Sequence, residues 1–152
     1  MRSKPIRVAV AGCGRWGINL IRVFQQMEGC QLVGCCDPDP RTLRRYPPAG
    51  ASPPVFRDLG NMLEEVAPDA VAVATPATTH CSVVSRALRA GAHVLVEKPL
   101  ATNSRDAERL VELAKRARRV LMVGHIFHYN PALRRLHGMI RDGTLGRLRY
   151  LY

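Results

Sequence analysis

Three glycines at the spacing Gly12-Cys13-Gly14-Arg15-Trp16-Gly17 follow the apolar run Ile6–Ala11, and an acid, Asp37, stands twenty residues beyond Gly17. Each part suits a phosphate-bearing ligand. Gly12 permits a tight turn out of a strand, Gly14 lets backbone N–H groups approach a pyrophosphate, and Gly17 lets the following helix pack closely. The helix N-terminus then attracts the phosphate charge. An acid at Asp37 hydrogen-bonds an adenosine ribose, whereas a 2′-phosphate there meets like-charge repulsion of roughly 1–4 kcal/mol. The pattern therefore predicts an NAD site that disfavours NADP, with Arg41 and Arg44 close enough in sequence to soften the discrimination. Without the glycines, Asp37 reads equally well as a strand-end acid or a cap ahead of Pro38. Arg15 and Trp16 take the loop's variable positions, where a side chain flanks the pyrophosphate or covers the nucleotide. Their plainer readings are an exposed arginine and a core tryptophan.

These residues need a frame. Short apolar, β-branched runs recur at Ile6–Ala11, Gln31–Cys36, Ala70–Ala74, His93–Val96 and Val120–Val123, with a shorter one at Val55-Phe56. Between them the pattern predicts helices over Arg15–Met27, Asn61–Val66, Thr79–Ala90, Ser104–Arg118 and Pro131–Asp142, with Asn103 or Ser104 capping one and Gly91 stopping another. Prolines and a glycine make Tyr46–Pro54 a loop. Strictly alternating strand and helix signals predict an α/β fold of the Rossmann type, a doubly wound parallel sheet. Such sheets bind ligands at the carboxyl ends of their strands, which brings in Thr75 and Pro76 after the Ala70–Ala74 run and His80 in the next helix. Thr75 as a helix-cap neighbour is the alternative. Met139 and Ile140 are expected to pack the last helix onto the sheet. The segment Arg147–Tyr152 alternates like a strand after the turn cluster 142–146, and it either pairs with the domain's own edge or begins a second domain.

Composition narrows the function classes. The 152 residues carry 23 Lys+Arg against 12 Asp+Glu, a formal charge of +11, so nucleic acid has to be weighed. Twenty of the basic residues are arginine, scattered among acids, and the tightest cluster, Lys115, Arg116, Arg118 and Arg119, has no interleaved aromatic to stack a base. A solvated basic face is favoured over a nucleic-acid surface. The five cysteines, Cys13, Cys30, Cys35, Cys36 and Cys81, form no C-x-x-C pair and no zinc-ligand spacing, so reduced thiols and no metal site are expected. No apolar stretch is long enough for a membrane span, and the amino terminus lacks a signal-like run, which points to a cytoplasmic protein.

A further ordered set completes the reading: Ala74-Thr75-Pro76 with His80, then Glu97-Lys98-Pro99-Leu100-Ala101, then Val123-Gly124-His125 with Asn130-Pro131. Together with the glycine loop this set resembles the Gfo/Idh/MocA oxidoreductase family over essentially the whole chain. Members acting on nucleotide-linked sugars, such as UDP-N-acetyl-hexosamine or hexosaminuronate 3-dehydrogenases, are the most similar in wording around Gly14–Leu20 and Gly124–Pro131. The resemblance implies an NAD-binding domain over residues 1–124, followed at 125–152 by the connecting helix and first strand of an α+β substrate domain that the chain lacks. It implies hydride transfer between a sugar or nucleotide-sugar hydroxyl carbon and a nicotinamide, the fragment alone being inactive. In the family the lysine of the Glu-Lys-Pro motif reaches both nicotinamide and substrate hydroxyl, which makes Lys98 the catalytic candidate here and leads one to expect it buried. A cis bond before Pro99 is implied as well. Glu97 would position Lys98 or touch the nicotinamide ribose, and His125 would contact the cofactor. The family's histidine partner would lie in the missing domain, through which homo-oligomers would form. The rival reading is a stand-alone NAD-binding sensor or scaffold without catalysis.

Overall fold

The computed structural model describes residues 4–44 and 53–150, and within them the strand-like runs form one parallel six-stranded sheet. Its strands are β1 (Ile6–Ala11), β2 (Cys30–Cys36), β3 (Val55–Phe56), β4 (Ala70–Val73), β5 (His93–Val96) and β6 (Leu121–Val123), in the order β3-β2-β1-β4-β5-β6. The helices are α1 (Gly17–Gln26), α2 (Pro40–Arg44), α3 (Leu59–Val66), α4 (Ala77–Arg89), α5 (Ser104–Ala117) and α6 (Pro131–Arg141). Most of the Tyr46–Pro54 loop expected from the prolines lies outside the described residues.

Both faces of the sheet are covered, which is why the central strands are apolar almost continuously rather than alternately. Along β1, Ala9 and Ala11 join the larger core with Met62, Leu88 and Leu110 of α3, α4 and α5. Val10, between them, points the other way into a smaller core with Ile21 of α1 and Cys35 of β2. The β1–β2 register slips between Val8 and Ala9, where Leu32 and then Gly34 are the partners. Gly34 suits that crowded place, since a Cβ there would lie 3.3 Å from the Met62 side chain.

Helix ends follow local chemistry. Asn103 caps α5 by accepting from the Asp106 amide at 2.9 Å, as its position predicts. Asp58 caps α3, accepting from the amides of Gly60 at 2.7 Å and Asn61 at 3.1 Å. Those amides, and more weakly Arg86, hold its carboxyl below the usual carboxylate range. A depressed folded-state pKa gives stability that is complete above the unfolded value of about 3.9 and is lost as pH falls through the folded one. Asp58→Ala is accordingly expected to lower Tm at neutral pH and to flatten the acid limb of a Tm-against-pH curve; an unchanged acid limb would exclude the cap as its source.

Several element ends differ from the sequence reading. Helix α1 begins at Gly17, not Arg15, because residues 14–16 form the turn that carries the chain out of β1. Helix α3 begins two residues early at its Asp58 cap, and α4 begins at Ala77 directly after Pro76. No residue of α6 is buried and Ile140 is exposed, so Met139 and Ile140 do not carry this helix into the sheet's core. Its apolar stripe has no cover among the described residues. Nor do residues 147–150 form a strand, because they find no ladder partner at the sheet edge.

Candidate functional site

Strand order reverses between β1 and β4, which lie side by side while their following helices go to opposite faces. The crevice at that switch point is where open α/β sheets take ligands. Its floor is tight. Ala74 donates its amide to the Ala11 carbonyl at 2.7 Å, and Gly12 donates to the Cys36 carbonyl at 2.8 Å. Gly12 adopts φ +91°, and a Cβ on it would lie 2.6 Å from the Ala74 carbonyl carbon. A Cβ on Gly17 would lie 1.8 Å from the Gly12 carbonyl oxygen. Gly14 is the opposite case: a Cβ there meets nothing within 4 Å, so the loop is open on the side where a ligand would approach. Just beyond it, the first-turn amides of α1 turn back on the loop, Ile18 donating to the Gly14 carbonyl at 3.1 Å and Asn19 and Leu20 to that of Trp16 at 2.9 and 3.4 Å.

Asp37 ends β2 beside this loop. Its carboxylate accepts from the Cys13 amide at 2.9 Å and from the Asp39 amide at 2.9 Å. One hydrogen bond to each oxygen leaves further lone pairs for a ligand hydroxyl, and the Cys13 contact ties the glycine loop to the end of β2. Cys13 itself is fully buried, its thiol donating to the Cys36 carbonyl at 3.6 Å. Hydrogen bonding with Cys35 and burial hold that thiol far above its usual value, and burial pushes Cys36 up to about 11. Both are packing residues rather than nucleophiles.

On the other side of the switch point a cleft of about 1020 Å³ opens over the ends of β4, β5 and β6, lined by Trp16, Thr75, Glu97, Lys98, Gly124 and His125 among others. Trp16 is 46% exposed and is no core residue; its indole N–H donates to the Glu97 carboxylate. Glu97 thus turns toward the glycine loop, and the three ion pairs among the described residues do not include one with Lys98. Gly124 makes room for it, since a Cβ there would sit 3.3 Å from the Glu97 carboxylate. Lys98 is exposed rather than buried, and the Lys98–Pro99 peptide is cis, as the resemblance implied. Thr75 meets the Thr79 hydroxyl at 2.9 Å.

His80 also borders the cleft but is 1% exposed, its Nδ1 lying 2.7 Å from the Pro99 carbonyl and its Nε2 2.9 Å from that of Thr75. His125 is exposed, and residues 126–128 continue the wall beyond it. Arg15 and Pro76 are exposed outside the cleft lining. No group of three His, Cys, Asp or Glu is placed to hold a metal ion among the described residues. No helix among them is long and apolar enough to cross a membrane.

The sequence and the fold that carries this cleft both match known proteins. The model of an oxidoreductase family with an NAD-binding Rossmann fold, Gfo/Idh/MocA, matches residues 6–125. The chain belongs to this family. It is 33% identical over 143 residues to D-apiose dehydrogenase of Paraburkholderia graminis, covering 94% of this chain and 38% of that protein. The WlbA dehydrogenase of Bordetella pertussis, solved with NADH and UDP-GlcNAcA, superposes at TM-score 0.84 and 33% identity, over 94% of this chain and 44% of that one. A 3-ketoreductase from Actinomadura kijaniata, solved with TDP-benzene and NADP, gives TM-score 0.85 at 32% identity, over 95% and 45%. The chain thus spans roughly two fifths of the length of these Gfo/Idh/MocA relatives, and what it forms is their NAD-binding Rossmann domain.

Proposed function

We propose that this domain serves an NAD-dependent dehydrogenase that moves hydride between a nicotinamide and the hydroxyl-bearing carbon of a sugar or nucleotide-linked sugar. The observation that supports the reading is one cleft lined both by Lys98 and by Trp16 of the glycine loop, whose indole donates to Glu97, the residue before Lys98. NAD, when bound, supplies the hydride acceptor. The chain's own residues supply position and charge. The amides of the Gly14–Gly17 turn hold the pyrophosphate and Asp37 takes the adenosine ribose, while Thr75, His125 and Glu97 surround the nicotinamide half. Lys98 orients the substrate hydroxyl and takes or returns its proton.

In this reading residues 1–124 are the cofactor domain and 125–152 lead into a substrate domain through which subunits pair. The exposure of Ile126, Phe127, Tyr129 and Leu133 among the described residues supports that arrangement. The test is NADH formation by the complete protein with NAD and UDP-GlcNAcA, D-apiose or myo-inositol as probes. Growth of NADH absorbance with one of them is expected, and none with any would overturn the reading.

The preference for NAD over NADP is carried by Asp37. Its charge should repel a 2′-phosphate, so Asp37→Asn is expected to lower the NAD-to-NADP affinity ratio about tenfold or more, mainly by tightening NADP. Calorimetric titration with both cofactors measures it. An unchanged ratio would move discrimination elsewhere, with Arg41 as the next residue to vary.

A further inference from the structure

His80 is the one buried polar side chain among the described residues, and its place between two backbone carbonyls gives it a job that hydride transfer does not use directly. Both residues whose carbonyls it meets line the cleft. Thr75 follows the end of β4, and Pro99 follows Lys98. The sheet ladder ends just before that point: Glu97 still donates its amide to the Val73 carbonyl at 2.9 Å, but Pro99 has no N–H to give. The Lys98 residue is exposed, so the backbone at Lys98 and Pro99, not packing around the side chain, sets where its flexible stem starts. Carbonyl oxygens only accept, so the ring donates in either contact, from Nδ1 or Nε2 according to its tautomer.

We propose that His80 is a positioning residue for Lys98, fixing the Pro99 carbonyl against the carboxyl end of β4 and thereby the backbone that carries the ammonium. The proposal rests on the reading of Lys98 given above. A shift of about 1 Å in a positioned group can cost about 10²-fold in rate.

Two substitutions separate the two ties. An asparagine amide nitrogen reaches the place of the imidazole Nδ1, and a glutamine amide nitrogen reaches that of Nε2. His80→Asn therefore keeps the Pro99 contact, and His80→Gln keeps the Thr75 contact. The complete protein is reductively dimethylated with isotope-labelled formaldehyde and a borane reductant, and the Lys98 resonance is assigned by its loss in Lys98→Ala. The resonance is expected to stay in place in His80→Asn and to move in His80→Gln. With whichever probe sugar yields NADH, turnover of unmodified protein should fall about 10²-fold in His80→Gln and within about threefold of the parent in His80→Asn. NADH affinity should be alike in all three. A Lys98 resonance that responds equally to both substitutions, to neither, or only to His80→Asn overturns the proposal. Full turnover in Lys98→Ala would instead overturn the catalytic reading, and the resonance comparison would still decide the positioning role.

Discussion

Lys98→Ala in the complete protein is expected to lower turnover by about 10²–10⁴-fold, the range for removing a positioned acid or base, while NAD(H) affinity stays within about threefold. The split follows from where the residue sits. Lys98 lines the cleft at the end of β5, whereas the glycine loop and Asp37 stand over β1 and β2 on the far side of the switch point. Affinity drawn from pyrophosphate and adenosine contacts should survive the change. An interaction made at the reacting hydroxyl should not. A fall in kcat with an unchanged cofactor Kd supports the role, and undiminished kcat removes it.

The second large effect is a contrast between two glycines of one loop. Gly17→Ala places a methyl group 1.8 Å from the Gly12 carbonyl oxygen, a backbone atom that cannot step aside without opening the loop. We expect destabilisation of more than about 3 kcal/mol, at the far end of single-substitution effects, together with loss of NAD binding. Gly14→Ala meets no protein atom within 4 Å. Its Tm should stay within about 2 °C of the parent, while NAD affinity falls about tenfold or more, because the methyl group stands where a pyrophosphate must approach the backbone. Thermal melts paired with cofactor titrations separate the two cases. If Gly14→Ala binds NAD as the parent does, the pyrophosphate is not held at this loop.

Much of the frame was legible because it rests on local signals. The apolar runs of β1, β4 and β5 and the Asn103 cap depend on residues a few positions apart, and the glycine spacing names its own turn. What escaped was long-range or backbone-borne. Trp16 and Glu97 are 81 residues apart, and nothing in either segment announces that the indole will reach the carboxylate. Both partners of His80 are carbonyl oxygens, which every residue possesses, so its burial left no sequence signal. Gly124 was visible within a motif, but its reason, space for the Glu97 carboxylate, appears only in three dimensions. The α6 packing expectation failed in a related way, and residues 147–150 find no ladder partner among the described residues. Amphipathic and alternating patterns state that a segment wants a partner, and they do not say that one is present.

A crystal structure of the complete protein with bound NADH tests the central claim most directly. Pyrophosphate oxygens are expected within hydrogen-bond distance of the amides of the Gly14–Gly17 turn, the adenosine ribose hydroxyls on Asp37, and the nicotinamide in the cleft with its C4 facing Lys98. A nicotinamide lying outside that cleft, or a cofactor that leaves the glycine loop untouched, would contradict the account.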